Sequence, residues 1–217
     1  MPDITVMGDD LLSITLHDAE QRHAIAQHLR SQSQWLECVP GMQSVVVQFD
    51  SARVSVEEAA AALRNQLSGS IQVHSAATQE IEIPVCYGGE FGPDLEAICA
   101  MLGMSVDEFI ELHTSAQCHV DMLGFTPGFA YIGGLSKELA VPRLTEPRSS
   151  VPGGSVGVMN NQSGVYAMGG PGGWPLVGRT PIRLFDYSAD DPFVVRAGCA
   201  VTFVAIDDMT YRRMIES

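Results

Sequence analysis

The chain has 217 residues, with 26 acidic and 12 basic side chains and a formal net charge of −14. Hydrophobic residues make up 46% and charged residues 18%, the balance of a packed globular protein and not of a disordered one. The acidic surplus argues against a nucleic-acid partner, which needs clustered Lys and Arg, and disfavours an anionic membrane surface. No run approaches the roughly 18 apolar residues that span a bilayer. The start, Met1-Pro2-Asp3, lacks the basic and apolar parts of a signal peptide. Cys38, Cys86, Cys99, Cys118 and Cys199 are odd in number and show no C-x-x-C spacing. They read as scattered buried thiols of a reduced, cytoplasmic protein. The six histidines form no H-E-x-x-H or comparable cluster, so no metal site is expected.

Leu11 to Leu16 reads as a strand and His17 to Ser31 as a helix, with Ala19, His23, Ala26 and Leu29 near one face. Trp35 to Val39 and Met42 to Phe49 read as strands around a Pro40-Gly41 turn. Ser55 and Glu58 form a capping box ahead of an apolar stripe of Val56, Ala59, Ala60, Leu63 and Leu67, and Gly69 suits the stop. A last strand through Ile71 and Val73 would complete β-α-β-β-α-β, the ferredoxin-like order. Ser75 to Gln79 reads as a linker. The expected domains are 1–79 and 80–217.

Ile81 to Val85 alternates as a strand. Two short helices follow, one with Pro93 at its first position and Gly103 at its stop, the other opened by the capping box Ser105 and Glu108 and ending near His113. The pair resembles a helix-turn-helix, but Leu95 to Thr114 holds no Lys or Arg, so a DNA-binding reading fails on charge. From Cys118 on, short apolar strands alternate with Gly and Pro turns: Val120 to Phe125, Phe129 to Ile132, Ser155 to Val158, Gly164 to Met168, Ile182 to Phe185, Phe193 to Arg196 and Ala200 to Ile206. That pattern predicts a closed or nearly closed β-barrel. Asp207 to Ser217 reads as a short terminal helix.

Residues 141 to 185 hold Arg143, Arg148, Arg179 and Arg183 against the single acid Glu146, a local charge of +3 in a chain whose remainder carries −17. A positive, Gly- and Pro-rich stretch in an acidic protein points to a site for a small anion or carboxylate, which the planar guanidinium fork suits. The alternative is that these arginines pair with acids elsewhere on the barrel. Pro152-Gly153-Gly154-Ser155 and Gly169-Gly170-Pro171-Gly172-Gly173-Trp174 match neither a Walker nor a dinucleotide motif. They serve either tight barrel corners or close backbone approach to a ligand. Ser155, Asn160, Asn161, Gln162, Tyr166 and Trp174 are the polar side chains of this stretch. His113 and, with less weight, His119 are candidate general bases. Leu123 to Tyr131 carries Phe125, Phe129 and Tyr131 around a Pro127-Gly128 turn, read as barrel core, as a ligand loop or as a patch for a partner protein.

The succession GFTPGFAYIGGL from Gly124, PR at 142–143 and 147–148, VPGGSV at 151–156 and GGPGGWPLVGRTP at 169–181 resembles the KipI/PxpB family. That family is also called allophanate hydrolase subunit 1, or carboxyltransferase subdomain C and D. The resemblance covers most of the chain and is strongest from Glu80 to Asp186. It implies an α+β protein, a small N-terminal domain followed by a cyclophilin-like β-barrel. It implies three functions: the B-type subunit of an ATP-dependent 5-oxoprolinase, a KipI-like inhibitor of a sensor histidine kinase, or a subunit acting on urea or allophanate. The first is the expected one. It brings a C-type (KipA/PxpC-like) subunit, a LamB/YcsF-type (PxpA-like) component, and ATP with magnesium bound in the complex and not intrinsic to this chain. In that scheme His113, Arg148 and Arg179 are the candidate catalytic residues. Arg143, Ser155, Gln162, Tyr166, Gly172, Gly173 and Trp174 would bind the substrate anion, and Phe125, Pro127 and Phe129 would face a partner. The chain departs from the family pattern at Cys118, at Met159-Asn160-Asn161 and at Ala167.

Overall fold

Alternation of apolar and polar residues builds the first sheet. The computed structural model describes residues 2–69 and 79–216. Contacts divide the chain into two units, Met1–Ala77 and Thr78–Ser217. In the first, β1 (Ile4–Met7), β2 (Leu11–Thr15), β3 (Glu37–Pro40) and β4 (Ser44–Gln48) form an antiparallel sheet in the order β1-β2-β4-β3. Leu12, Ile14, Val45 and Val47 lie on its buried face. There they meet α1 (Ala19–Arg30) and α2 (Val56–Leu67) through Ile25, Ala26, Leu29, Ala59 and Leu63.

The expected stripe of α1 is displaced by part of a turn. Arg22, Ile25, Ala26 and Leu29 are its buried residues, and Arg22 is tolerated there because Nη1 donates to the carbonyls of Leu16 and His17 at 3.2 and 2.8 Å. The Ser55–Glu58 capping box of α2 is formed. Strand β1 has weak apolar alternation and so carries little sequence signal; it takes the edge of β2 that a ferredoxin-like fourth strand would fill. The expected strand at Ile71 and Val73 and most of the expected linker lie outside the described residues.

The second unit is the barrel. Strands β5 (Glu80–Tyr87), β6 (Cys118–Leu123), β7 (Ala130–Gly133), β9 (Ser155–Met159), β10 (Gln162–Val165), β12 (Leu176–Arg179) and β13 (Ala200–Ile206) close in the order β10-β7-β6-β13-β5-β12-β9. All pairs are antiparallel except β13 with β5. Their inward residues, among them Val85, Val120, Ile132, Val156, Val158, Val165, Val177 and Phe203, form one core. Helices α3 (Leu95–Leu102) and α4 (Val106–Thr114) add Ile98, Cys99 and Phe109 to it. A two-stranded ribbon of β8 (Arg148–Val151) and β11 (Gly170–Gly172) lies outside the ring of barrel strands. Helix α5 (Asp208–Ile215) ends the described chain.

Several local signals hold. Gly103 caps α3 in the left-handed conformation (φ +72°), and Ser105 with Glu108 forms the box that opens α4. Helix α3 starts at Leu95 rather than Pro93, with Asp94 as its N-cap, and the Asp94 side chain does not cap it. Residues 182–185 and 193–196, expected as strands, make only an isolated bridge between Phe185 and Phe193. The expected turn at Pro152 to Ser155 is formed, with the Ser155 N–H donating to the Pro152 carbonyl, whereas β11 occupies part of the second Gly-rich stretch.

Candidate functional site

The pleat of β9 and β10 separates two environments. Val156, Val158, Ser163 and Val165 point into the barrel. Gly157 and Gly164, paired across the strands, leave the outer face flat. Phe129 and Trp174 occupy that flat ground: a Cβ on Gly164 would stand 2.8 Å from each ring, and one on Gly157 would stand 2.9 Å from the Trp174 Cβ. With Tyr166, Leu176, Val151 and the partly buried Tyr131 they form an aromatic cluster distinct from the barrel core. Ring centroids of Phe129 lie 4.8 Å from Tyr131, 4.9 Å from Tyr166 and 5.7 Å from Trp174, all edge-to-face.

Most of the expected anion-binding residues collect on this face. A Cβ on Gly172 would collide with the Tyr166 hydroxyl, and one on Gly173 would stand 2.5 Å from Arg143 Nε. The two glycines therefore let the backbone lie directly against both side chains. The Trp174 N–H donates to Tyr166 Oη at 3.5 Å. Burial raises the Tyr166 phenol above its ordinary value, and Arg143 and Arg148 pull it back only in part. Burial likewise raises Tyr131 against the pull of Arg143. Both hydroxyls stay protonated at neutral pH and can donate. Arg143 is exposed.

Three of the expected site residues carry buried donors with no acceptor: Arg148 Nη1, Ser155 Oγ and Arg179 Nε. Ser155 and Arg179 are cross-strand neighbours on β9 and β12. The Arg179 guanidinium lies 5.7 Å from the centre of the Phe91 ring. Arg148 is already half committed, because Nη2 donates to Asp94 Oδ1 at 2.7 Å while Asp94 Oδ2 accepts from the Leu176 N–H at 2.6 Å. This explains why Asp94 does not cap α3. Each buried unmet donor costs about 1–3 kcal/mol. Two guanidinium N–H groups and a hydroxyl fit the oxygens of a carboxylate or phosphate.

Two expectations are corrected here. His113 is fully buried on the other side of the same sheet. Its Nε2 meets the inward Ser163 Oγ at 3.2 Å and its Nδ1 meets Tyr87 Oη at 2.7 Å, with Phe109 and Phe203 against the ring. Burial pushes its pKa down to about 3. A neutral imidazole with both nitrogens engaged inside the barrel does not fit the expected base. Phe129, expected to face a partner, is 1% exposed at the centre of the aromatic cluster. Phe125, 59% exposed, and Pro127 do lie at the surface of the β6–β7 turn.

Gln162 leads to a group that sequence reasoning misses. Its Nε2 donates to Asp121 Oδ2 at 2.9 Å, and Asp121 Oδ1 lies 3.1 Å from His119 Nε2. In the sequence His119 carries less weight than His113 and Asp121 carries none, although the two stand two positions apart on β6 and so share a face. Among the described residues no group of three or more His, Cys, Asp or Glu side chains is placed to hold a metal ion, and no helix is long and apolar enough to cross a membrane.

The carboxyltransferase domain family, subdomain C and D, matches residues 2–195. This chain belongs to that family. A B-type subunit of 5-oxoprolinase from Bacillus subtilis (strain 168) is 39% identical over 201 residues, which cover 87% of this chain and 84% of that protein. One of Escherichia coli O157:H7 is 39% identical over 191 residues, 88% of this chain and 87% of the relative. Among solved structures, PH0987 of Pyrococcus horikoshii is 38% identical with a TM-score of 0.60 and covers 96% of this chain and 100% of its own. The carboxyltransferase-family fold also recurs in the Kluyveromyces lactis urea amidolyase, at 17% identity and a TM-score of 0.76. There this chain spans 99% of itself but 15% of the larger protein.

Proposed function

We propose that this chain is the B-type subunit of a 5-oxoprolinase, a hydrolase complex that opens the lactam of 5-oxoproline to glutamate. The relatives that carry that name support the reading over nearly the whole chain, at 36–39% identity. The observation that carries it in this molecule is the set of unmet donors, Arg148 Nη1, Ser155 Oγ and Arg179 Nε, beside the exposed Arg143. The substrate is a small cyclic amide with a carboxylate. Arg143 on the aromatic face takes the carboxylate through its fork, with Tyr131 and Tyr166 as hydroxyl donors. The buried donors take an oxyanion, because preorganised donors out of water stabilise developing charge most strongly.

ATP with magnesium, bound in the complex, supplies the phosphoryl group that makes the amide carbon electrophilic. Arg148, Ser155 and Arg179 fit phosphate oxygens as well as a carboxylate. The C-type subunit and the LamB/YcsF-type component complete the site. This chain contributes donors and substrate orientation and is inactive alone.

Reconstitution of the three components tests this, with 5-oxoproline-dependent ATP hydrolysis and glutamate as readouts. Activity is expected from the complex and none from this chain. Arg179→Ala removes charge-assisted bonds of about 1.5–3 kcal/mol, a tenfold to hundredfold loss of activity with little change in melting temperature. Arg148→Ala lowers the melting temperature as well, because Asp94 Oδ1 loses its partner. Glutamate formation by this chain alone, or full activity of an Arg179→Ala complex, overturns the shared-site reading.

A further inference from the structure

We propose that the loop from Gly88 to Asp94, between β5 and α3, is a positioning element for both buried arginines, Asp94 aiming Arg148 and Phe91 aiming Arg179; the inference rests on the reading of those arginines as anion-binding groups.

The loop is fixed to β12 along its length. The Gly88 N–H donates to the Val177 carbonyl at 3.0 Å, and the Asp94 N–H donates to the Leu176 carbonyl at 3.1 Å. Between them the backbone of Gly92 lies directly on the strand, because a Cβ there would collide with the Val177 carbonyl oxygen. Only glycine allows so close an approach. A loop tied down by backbone bonds at both ends presents its side chains from a rigid base.

Asp94 uses that base to reach a second strand. Its Oδ2 accepts from the Leu176 N–H of the barrel at 2.6 Å, and its Oδ1 accepts from Arg148 Nη2 of the ribbon strand β8 at 2.7 Å. One carboxylate thus ties ribbon to barrel and anchors one edge of the guanidinium. The group is planar and rigid, so anchoring one nitrogen also fixes the direction of Nη1, which is buried and unmet. Arg148 pairs across the ribbon with Gly172, whose backbone lies against the Tyr166 hydroxyl. The anchored guanidinium therefore stands beside the aromatic face.

Phe91 holds Arg179 by other means. Among the described residues no carboxylate pairs with Arg179. Its guanidinium lies 5.7 Å from the centre of the Phe91 ring, within cation–π range. That ring is buried and braced by Tyr211 of α5, with ring centroids 4.5 Å apart. An aromatic ring orients a guanidinium without supplying a counter-charge. Arg179 therefore offers an undivided charge, whereas Arg148 shares its charge with Asp94. Phe91 and Asp94 are positioning residues, since they act through the arginines.

The test is two double-mutant cycles in the reconstituted complex, read as kcat, KM toward 5-oxoproline and melting temperature. Asp94→Asn keeps one acceptor for the Leu176 N–H and turns an amide N–H group toward Arg148, so it cuts the arginine bond alone. It is expected to lower kcat about tenfold at unchanged KM. Phe91→Leu keeps an apolar side chain and removes the ring, with an expected loss of about three- to tenfold. Where the arginine is already gone, neither change is expected to cost more: Asp94→Asn added to Arg148→Ala, and Phe91→Leu added to Arg179→Ala, leave kcat at the level of the arginine variant. A contact that serves the fold alone lowers the melting temperature and leaves kcat intact. Full kcat in Asp94→Asn or in Phe91→Leu, or losses that multiply in either double variant, overturns the inference while the function stands. If Phe91→Leu does not fold, Phe91→Met is read in its place. Full activity of both the Arg148→Ala and the Arg179→Ala complexes overturns the anion-site reading itself and the inference with it.

Discussion

Phe125 holds a left-handed backbone, φ +68°, in a tight turn where the Thr126 N–H donates to the Gly124 carbonyl two residues back at 2.8 Å. A bulky side chain there costs about 1–2 kcal/mol, yet the ring is 59% exposed and only its edge meets Phe129, at 5.6 Å. Strain carried by an exposed aromatic is worth its cost only if the ring meets something outside the chain. In Phe125→Gly the relieved strain offsets glycine's backbone entropy of about 0.5–1 kcal/mol and the lost ring edge. The melting temperature is expected to stay within a few degrees of wild type while co-purification with the C-type subunit weakens. Unchanged co-purification with a lowered melting temperature would show that the ring serves the turn alone.

At the scale of elements, the β9–β10 hairpin is the floor of the candidate site because two glycines face each other across it. The rings of Phe129 and Trp174 are buried and held on several sides, so they cannot give way to a new methyl group. Gly164→Ala is expected to destabilise by about 1–3 kcal/mol. Gly170→Ala on β11 is the control: a Cβ there meets nothing within 4 Å, and its φ is not positive. Denaturant unfolding of the two variants decides. Equal midpoints would mean that the aromatic cluster moves freely over the sheet.

For the whole molecule, the buried His113 links stability to pH. Its folded pKa is depressed to about 3 from an ordinary value of 6.5, so the unfolded chain binds the proton first. Its contribution is complete above about pH 6.5 and is lost as pH falls toward 3. For one such group the slope is at most about 1.4 kcal/mol per pH unit, roughly 2 kcal/mol between pH 6.5 and 5. The exposed Glu58 and Glu108, held low by their capping-box bonds to Ser55 and Ser105, act in the same direction but at lower pH. Urea unfolding at pH 7, 6 and 5 should therefore show falling stability, and His113→Gln should flatten that fall. An unchanged slope would mean that His113 charges inside the fold.

Features written over a few neighbouring residues were legible in the sequence. The capping boxes at Ser55 and Ser105, the Gly103 stop, the strand at Ala200 to Ile206, the barrel and the family motifs all depend on spacing within one short segment. The positive stretch from Val141 to Phe185 was legible as a composition, and it does hold Arg143, Arg148, Ser155, Tyr166 and Arg179. What each residue touches there is decided by contacts at long range. Arg148 is half occupied because Asp94, 54 positions earlier, reaches it. His113 outranks His119 in sequence because it ends a well-marked helix, and the same helix carries it into the barrel. His119 and Asp121 share a face of β6 by the pleat, but the room for the Asp121 carboxylate comes from Gly133 on the neighbouring strand. Pleat and register assign each side chain to the inner or outer face, and both arise from strand pairing, which local spacing does not encode.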